Sequence, residues 1–126
     1  MNYLNDSSAW IEYLSGSAAG ERVNKILGKE LEVYTISVII SEVVSFVKRN
    51  GGNVETAYDA IVKNSKMREL TAKLAKEAGI LHASMKEKDM GFSLVDAQII
   101  CAARAVKAKL VTQDRHFKSF KEAELI

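Results

Sequence analysis

Strand-like and helix-like segments take turns along the whole chain, and no proline interrupts any of them. That alternation is the strongest constraint on the fold, because parallel strands need crossovers long enough to hold a helix. Asn2 to Asn5 is a short strand, and from Ser8 the apolar residues Trp10, Ile11 and Leu14 recur at helical spacing until Ser15-Gly16 stops them. Gly20 to Leu27 is a second helix and Leu31 to Thr35 a second strand. Ser37 is positioned to cap a helix over Val38 to Lys48, which ends at Asn50-Gly51-Gly52. Val54 to Asn64 is helical, Met67 to Leu70 is a candidate third strand, and Thr71 to Lys86 is a long helix. Leu94 to Val106 is a helix apolar nearly all round, started by Ser93, and Lys109 to Thr112 is a buried-type strand. The chain therefore reads as one α/β domain, residues 1–126, with a mostly parallel sheet.

Composition narrows the chemistry. A single cysteine, Cys101, excludes an internal disulfide and a Cys-based zinc cluster, and two histidines, His82 and His116, are too few for a multi-His site. Any metal must be held mostly by oxygen. Apolar runs such as Ile36 to Ile40 fall far short of the roughly 18 residues a membrane span needs, and no basic stretch leads into an apolar signal at the N-terminus. The expectation is a soluble, cytoplasmic protein with no membrane partner.

In open parallel sheets, ligands gather beyond the carboxyl ends of the strands. Asn2 to Asn5 delivers Asp6 there and Lys109 to Thr112 delivers Asp114, two acids from distant parts of the sequence. Each also has a structural reading, since aspartate is favoured at helix N-caps and turns. Asp96 fits the same description: Ser93-Leu94-Val95-Asp96 is a capping arrangement at a helix start. Glu42 is different. It lies in a helix apolar enough to be largely covered, with no Lys or Arg three or four residues away, so a buried carboxylate there needs a metal or a distant Arg. The competing reading puts Glu42 outward between Ser41 and Ser45 on a narrow polar stripe. If Asp6, Glu42, Asp96 and Asp114 converge, their repulsion calls for cations, and oxygen-only ligation selects Mg²⁺ or Mn²⁺. Such sites serve phosphodiester displacement, in which the metal activates water and neutralises charge developing on phosphorus.

The segments Tyr3-Leu4-Asn5-Asp6-Ser7-Ser8-Ala9-Trp10-Ile11, Ser41-Glu42-Val43, Ser93 to Ala105 and Leu110 to Phe117, in that order and spacing, resemble the PIN-domain ribonucleases, in particular the VapC toxins of prokaryotic toxin–antitoxin pairs. The resemblance runs over essentially the whole chain. It implies a three-layer α/β/α domain with a mostly parallel sheet of four to five strands, Mg²⁺ or Mn²⁺ as cofactor, and RNA cleavage leaving a 5′ phosphate. It also implies a homodimer and inhibition by a cognate antitoxin protein. By that resemblance Asp6 and Asp96 are the principal metal ligands, with Glu42 and Asp114 as further ligands or water-orienting groups. Thr112 takes the small hydroxyl position before the last acid, and Ser8 the one after the first. Asn5 departs from the pattern, standing where the family usually has an apolar strand residue, and Ser7 replaces the commoner threonine.

Arg115, beside Asp114, and Lys48 and Arg49, at the end of the Glu42 helix, are candidate phosphate contacts, against an equally good reading as solvated charges. His116 is a candidate proton donor or a bystander. Trp10, Phe92, Phe117 and Phe120 suit core packing better than base stacking, and Cys101 reads as a buried small apolar residue. Glu12, Glu87 and Asp89 are candidates to supplement the site, with ordinary surface charge the better reading. Helix surfaces near Trp10 to Leu14 and around Val44 to Val47 are candidates for a dimer or antitoxin contact, or equally for core packing.

Two alternatives to a metal-dependent endoribonuclease carry less. A Mg²⁺-binding receiver domain needs a phosphate-accepting Asp at the end of a mid-chain strand, whereas Asp59 falls in a helix, and a Lys where Thr112-Gln113-Asp114 stands. A catalytically silent PIN-like interaction module would have no use for all four acids. The net charge of +2, from 18 basic and 16 acidic residues, is no argument against RNA. Setting the four site acids aside leaves 12 acids against 18 bases, so an acidic pocket is set in a basic protein.

Overall fold

In the computed structural model, which describes residues 1–29 and 32–126, five strands form one all-parallel sheet. They are β1 (Asn2–Asn5), β2 (Glu32–Thr35), β3 (Lys66–Met67), β4 (Ala108–Thr112) and β5 (Ala123–Leu125), in the order β3-β2-β1-β4-β5. Six helices connect them: α1 (Ser7–Ser15), α2 (Ala18–Leu27), α3 (Ser37–Arg49), α4 (Val54–Asn64), α5 (Ala72–Lys86) and α6 (Leu94–Ala105). α1 packs on α2 and α3, and α3 on α4, while α5 pairs with α6, giving two helical layers around the sheet. Among the described residues no helix is long and apolar enough to cross a membrane.

The α/β reading and most element positions hold, and the differences have local causes. Leu31, expected in the second strand, lies outside the described residues. Ser37 does not cap α3. Ile36 takes the N-cap position with extended backbone and only 1% exposure, so its anchoring in the core makes Ser37 already helical. β3 is Lys66–Met67 rather than Met67 to Leu70, because only these residues find register partners, Tyr34 and Thr35. Elsewhere the caps work as their residue types suggest: Ser17, Asn53 and Thr71 accept from Gly20, Thr56 and Leu74 backbone N–H groups.

The core joins Leu4, Leu110 and Val111 of the central strands to Trp10, Ile39, Ile61 and Ile100 of the helices. Trp10 is a core residue. Its indole N–H donates to Thr35 Oγ1 at 3.3 Å, Thr35 donates to Ser65 Oγ at 2.9 Å, and Ser65 donates to the Ile61 carbonyl at 2.6 Å. Phe92, Phe117 and Phe120 form a second buried aromatic cluster, and Cys101 of α6 is buried.

Asn5 is fully buried, and neither its Oδ1 nor its Nδ2 meets a hydrogen-bonding partner among the described residues. An unpaired buried amide costs about 1–3 kcal/mol. Asn5→Val places a strand-favouring side chain beside the register partner Val111. It is expected to raise the unfolding free energy in urea by about 1–2 kcal/mol; an unchanged or lowered value would show that the amide is satisfied in solution.

Candidate active site

The chain runs from β1 outward to β2 and β3, then returns to β4 on the other side of β1. This reversal leaves a crevice at the carboxyl ends of β1 and β4, where the next residues along each strand stand. Asp6 follows β1 and is 3% exposed. Its backbone N–H donates to the Val111 carbonyl at 3.1 Å, tying it to β4. Asp6 Oδ1 accepts from Ser8 Oγ at 2.6 Å and from the Ala9 backbone N–H at 3.0 Å, so it does cap α1. Asp6 Oδ2 accepts from the buried Thr112 hydroxyl.

Thr112 Oγ1 in turn accepts the Asp114 backbone N–H at 2.9 Å, and Ser8 Oγ accepts that of Gln113 at 2.9 Å. Two hydroxyls thus bind Asp6 to the turn that presents Asp114. Asp114 caps the single turn Arg115–Phe117 through Oδ1, which accepts from His116 N–H at 2.9 Å. Asp96 completes a capping box with Ser93, using Oδ2 at 2.9 Å. The capping and site readings are therefore compatible: among the described residues, Asp96 Oδ1 and Asp114 Oδ2 take no hydrogen bond.

Glu42 does not occupy the buried position expected of it. α3 buries only Ile39 and Val43, leaves Val38, Ile40, Val44 and Val47 half-buried, and exposes Phe46. The helix packs on α1 and α4 by one face, so its apolar composition does not enclose Glu42, which sits at the exposed rim. It still belongs to the acidic edge electrostatically. Partial desolvation raises its carboxyl above the usual range, the nearby Ser7 hydroxyl opposes this, and the charges of Asp6 and Asp96 add to the rise. Burial likewise raises Asp6, against its bonds from Ser8, Thr112 and Ala9, with Asp114 adding repulsion. Burial raises Asp96 too, with Ser93 opposing and Asp114 adding.

The remaining candidates divide. Arg49 lies along α3 with Glu42, donates to Ser45 Oγ at 3.3 Å, and lines the same surface hollow with Ser7 and Ser41. Lys48 is exposed on the same helix but not among the residues lining that hollow. Arg115 and His116 lie on the turn after Asp114, bordering a different hollow. Ser7, in the sequence only a stand-in for threonine, and Asp89, better read there as surface charge, both gain partners in the fold. The Ser7 hydroxyl stands near enough to Glu42 to favour its charged form, and Asp89 Oδ2 lies 2.6 Å from His116 Nδ1. Neither has a local signal, since each meets its partner only through the fold.

As placed, no three acidic, histidine or cysteine side chains among the described residues converge closely enough to enclose an ion. The four acids instead share an open edge, within electrostatic reach of one another. Mg²⁺ suits such an edge better than a cage, because it is usually held by one or two carboxylates and keeps several waters. The all-oxygen donors, their mutual repulsion and the two uncommitted carboxylate oxygens fit a hard divalent cation.

A five-stranded parallel sheet between helical layers, with acids gathered at the reversal of strand order, defines a particular class of α/β protein. The chain belongs to the PIN domain family, whose model matches residues 3–123. No curated protein matches it by sequence. Its fold is shared with VapBC2 of Rickettsia felis, solved bound to a promoter DNA fragment, at TM-score 0.76 and 18% identity, covering 100% of this chain and 98% of that one. A toxin–antitoxin complex from Klebsiella pneumoniae gives 0.75 and 16%, covering 97% and 95%. VapC20 of Mycobacterium tuberculosis, a sarcin-ricin loop cleaving toxin, gives 0.73 and 21%, covering 95% and 97%.

Proposed function

We propose that this PIN domain is a metal-dependent endoribonuclease and the toxin of a type II toxin–antitoxin pair. The observation that carries the reading is the Asp6–Ser8–Thr112–Asp114 network, which fixes the orientation of a buried carboxylate at a strand-end crevice. Asp6 and Asp96 are the residues to hold Mg²⁺ or Mn²⁺, with Asp114 and Glu42 completing the acidic edge. When bound, the cation supplies Lewis acidity toward water and the phosphodiester. Ser8 and Thr112 keep Asp6 oriented by donating to its two oxygens, a positioning role. Asp114, with Oδ2 uncommitted, and Glu42, at the rim, are placed to accept a proton from an attacking water. In-line displacement by that water leaves a 5′ phosphate.

The similar folds solved as toxin–antitoxin complexes support an antitoxin partner here. Leu14, Phe46, Val47 and Ala57 line an apolar groove of about 470 Å³ between α1, α3 and α4, which gives such a partner, or a second copy in a homodimer, a surface to cover.

Purified protein is expected to cut single-stranded RNA with Mg²⁺ or Mn²⁺ and to lose that cutting in excess EDTA, read on denaturing gels. Cleavage that persists unchanged in EDTA would sink the metal-dependent reading. The open spacing of the four acids is what favours the alternative, a catalytically silent module. A Mn²⁺ titration separates the two: no binding supports the silent module.

A further inference from the structure

Beyond the acidic edge, the turn after β4 and the end of α5 border a second hollow of about 900 Å³, lined by Lys88, Arg104, Arg115, His116 and Lys118 with Phe120. That volume is at the upper end for small-ligand pockets, room for a length of chain. The one acid lining it, Asp89, is engaged with His116. Arg104 is held in place, its Nε 2.9 Å from Glu122 and its guanidinium 5.6 Å from the centre of the Phe120 ring. Lys88, Arg115 and Lys118 are exposed and form no ion pair among the described residues.

His116 joins this hollow to the acidic edge. Its backbone N–H is bound to Asp114, while Asp89 holds its ring. Gly91 makes room for that ring: a Cβ at this position would stand 2.3 Å from Cε1. The imidazole is thus seated against bare backbone between the two regions. The same half of the chain, residues 64–126, carries 12 basic and 8 acidic side chains, whereas residues 1–63 carry 6 and 8.

We infer that this hollow binds the sugar–phosphate backbone of an RNA strand whose scissile phosphate lies at the acidic edge, with Lys88, Arg115 and Lys118 each neutralising a phosphate. The inference rests on the nuclease reading above, which supplies the scissile end. Three separate cations around one hollow, unpaired among the described residues and with Arg115 next in sequence to Asp114, match a polymer with one charge per residue. A small anion would need only one of them.

The test uses the full chain in the Asp96→Asn background, which leaves the strand uncut, with a fluorescein-labelled single-stranded RNA. Adding Lys88→Ala and Lys118→Ala is expected to lower affinity about 20-fold at 0.1 M salt. It should also make the slope of log K against log salt shallower by about 1.4, two contacts at about 0.7 each. Replacing the same lysines by arginine should preserve both values. An unchanged affinity and slope, with RNA still bound and still cut by the parent chain, overturns the inference and leaves the nuclease reading standing. Loss of inorganic phosphate binding without loss of RNA binding also overturns it, making the hollow a small-anion site. No RNA binding or cleavage by the parent chain overturns both.

Discussion

Asp96→Asn and Asp6→Asn are each expected to slow RNA cleavage by about 10³-fold or more while the chain stays folded. A cation that stabilises charge in the transition state is worth several kcal/mol, and each 1.36 kcal/mol lost is tenfold in rate. Folding survives because neither acid is needed as a charge by the structure. In Asp96→Asn the amide oxygen still accepts the Ser93 N–H of the capping box. In Asp6→Asn the oxygen still accepts from Ala9 and Ser8, and the new NH₂ donates to Thr112 Oγ1 in place of the bond it received. A variant that folds, yet cuts RNA as fast as the parent, would remove that acid from the site.

The same acids set the pH dependence of the metal-free protein. Burial raises Asp6, Glu42 and Asp96 above the usual carboxylate range, so the folded state binds protons that the unfolded state has already released. Their contribution is most favourable below the unfolded values and is lost as pH rises through the raised folded ones. In EDTA the thermal midpoint should therefore rise by several degrees on acidification from neutral pH toward the carboxylate range. Asp6→Asn should flatten that rise, and saturating Mn²⁺ should suppress it by replacing the protons. Asp89, bonded by His116, is shifted the other way, and Glu122, desolvated but bonded by Arg104, is lowered too. Asp89 is solvent-screened and its contribution is small. A midpoint that falls on mild acidification in EDTA would show that burial does not raise these acids in solution.

What the sequence makes legible is what short-range chemistry decides. α4 spans Val54–Asn64 as its spacing says, and Asp6 and Asp114 stand at strand ends because the residues before them are strand formers. β5 carries no such signal: Ala123–Leu125 is short and half-exposed, and it becomes a strand only by pairing with Leu110, Val111 and Thr112. Glu42 is exposed where its helix's composition predicts burial, for a related reason. Helix composition reports how much apolar surface is available, whereas which part is covered depends on where α1 and α4 land. Asp89 meets His116 across 27 positions, and Lys88 and Lys118 line one hollow, so neither grouping exists before the chain is folded.

Gly20→Ala and Gly79→Ala are expected to move stability in opposite directions, although both replace a helical glycine. In an open helix the exchange is favourable by about 0.5–1 kcal/mol, because alanine loses less backbone freedom. Gly79, inside α5, meets that condition: nothing stands within 4 Å of an added Cβ. At Gly20 the added Cβ would lie 2.1 Å from the Glu12 carbonyl oxygen, 2.6 Å from its carbon and 3.0 Å from Tyr13 Cα. All three are backbone atoms, so no rotamer change relieves the contact and α2 has to move off α1. That Glu12 carbonyl also receives Ser17 Oγ at 3.3 Å and Ser17 N–H at 3.4 Å, the bonds that shape the turn between the helices. Overpacking of this kind costs about 3 kcal/mol, beyond what helix propensity returns. Because α1 begins at its cap Asp6, the displacement reaches the acidic edge as well. Urea unfolding should therefore place Gly79→Ala above the parent chain and Gly20→Ala well below it, with cleavage reduced in Gly20→Ala alone. Equal stability of the two variants would mean that α1 and α2 do not cross at Gly20 in solution.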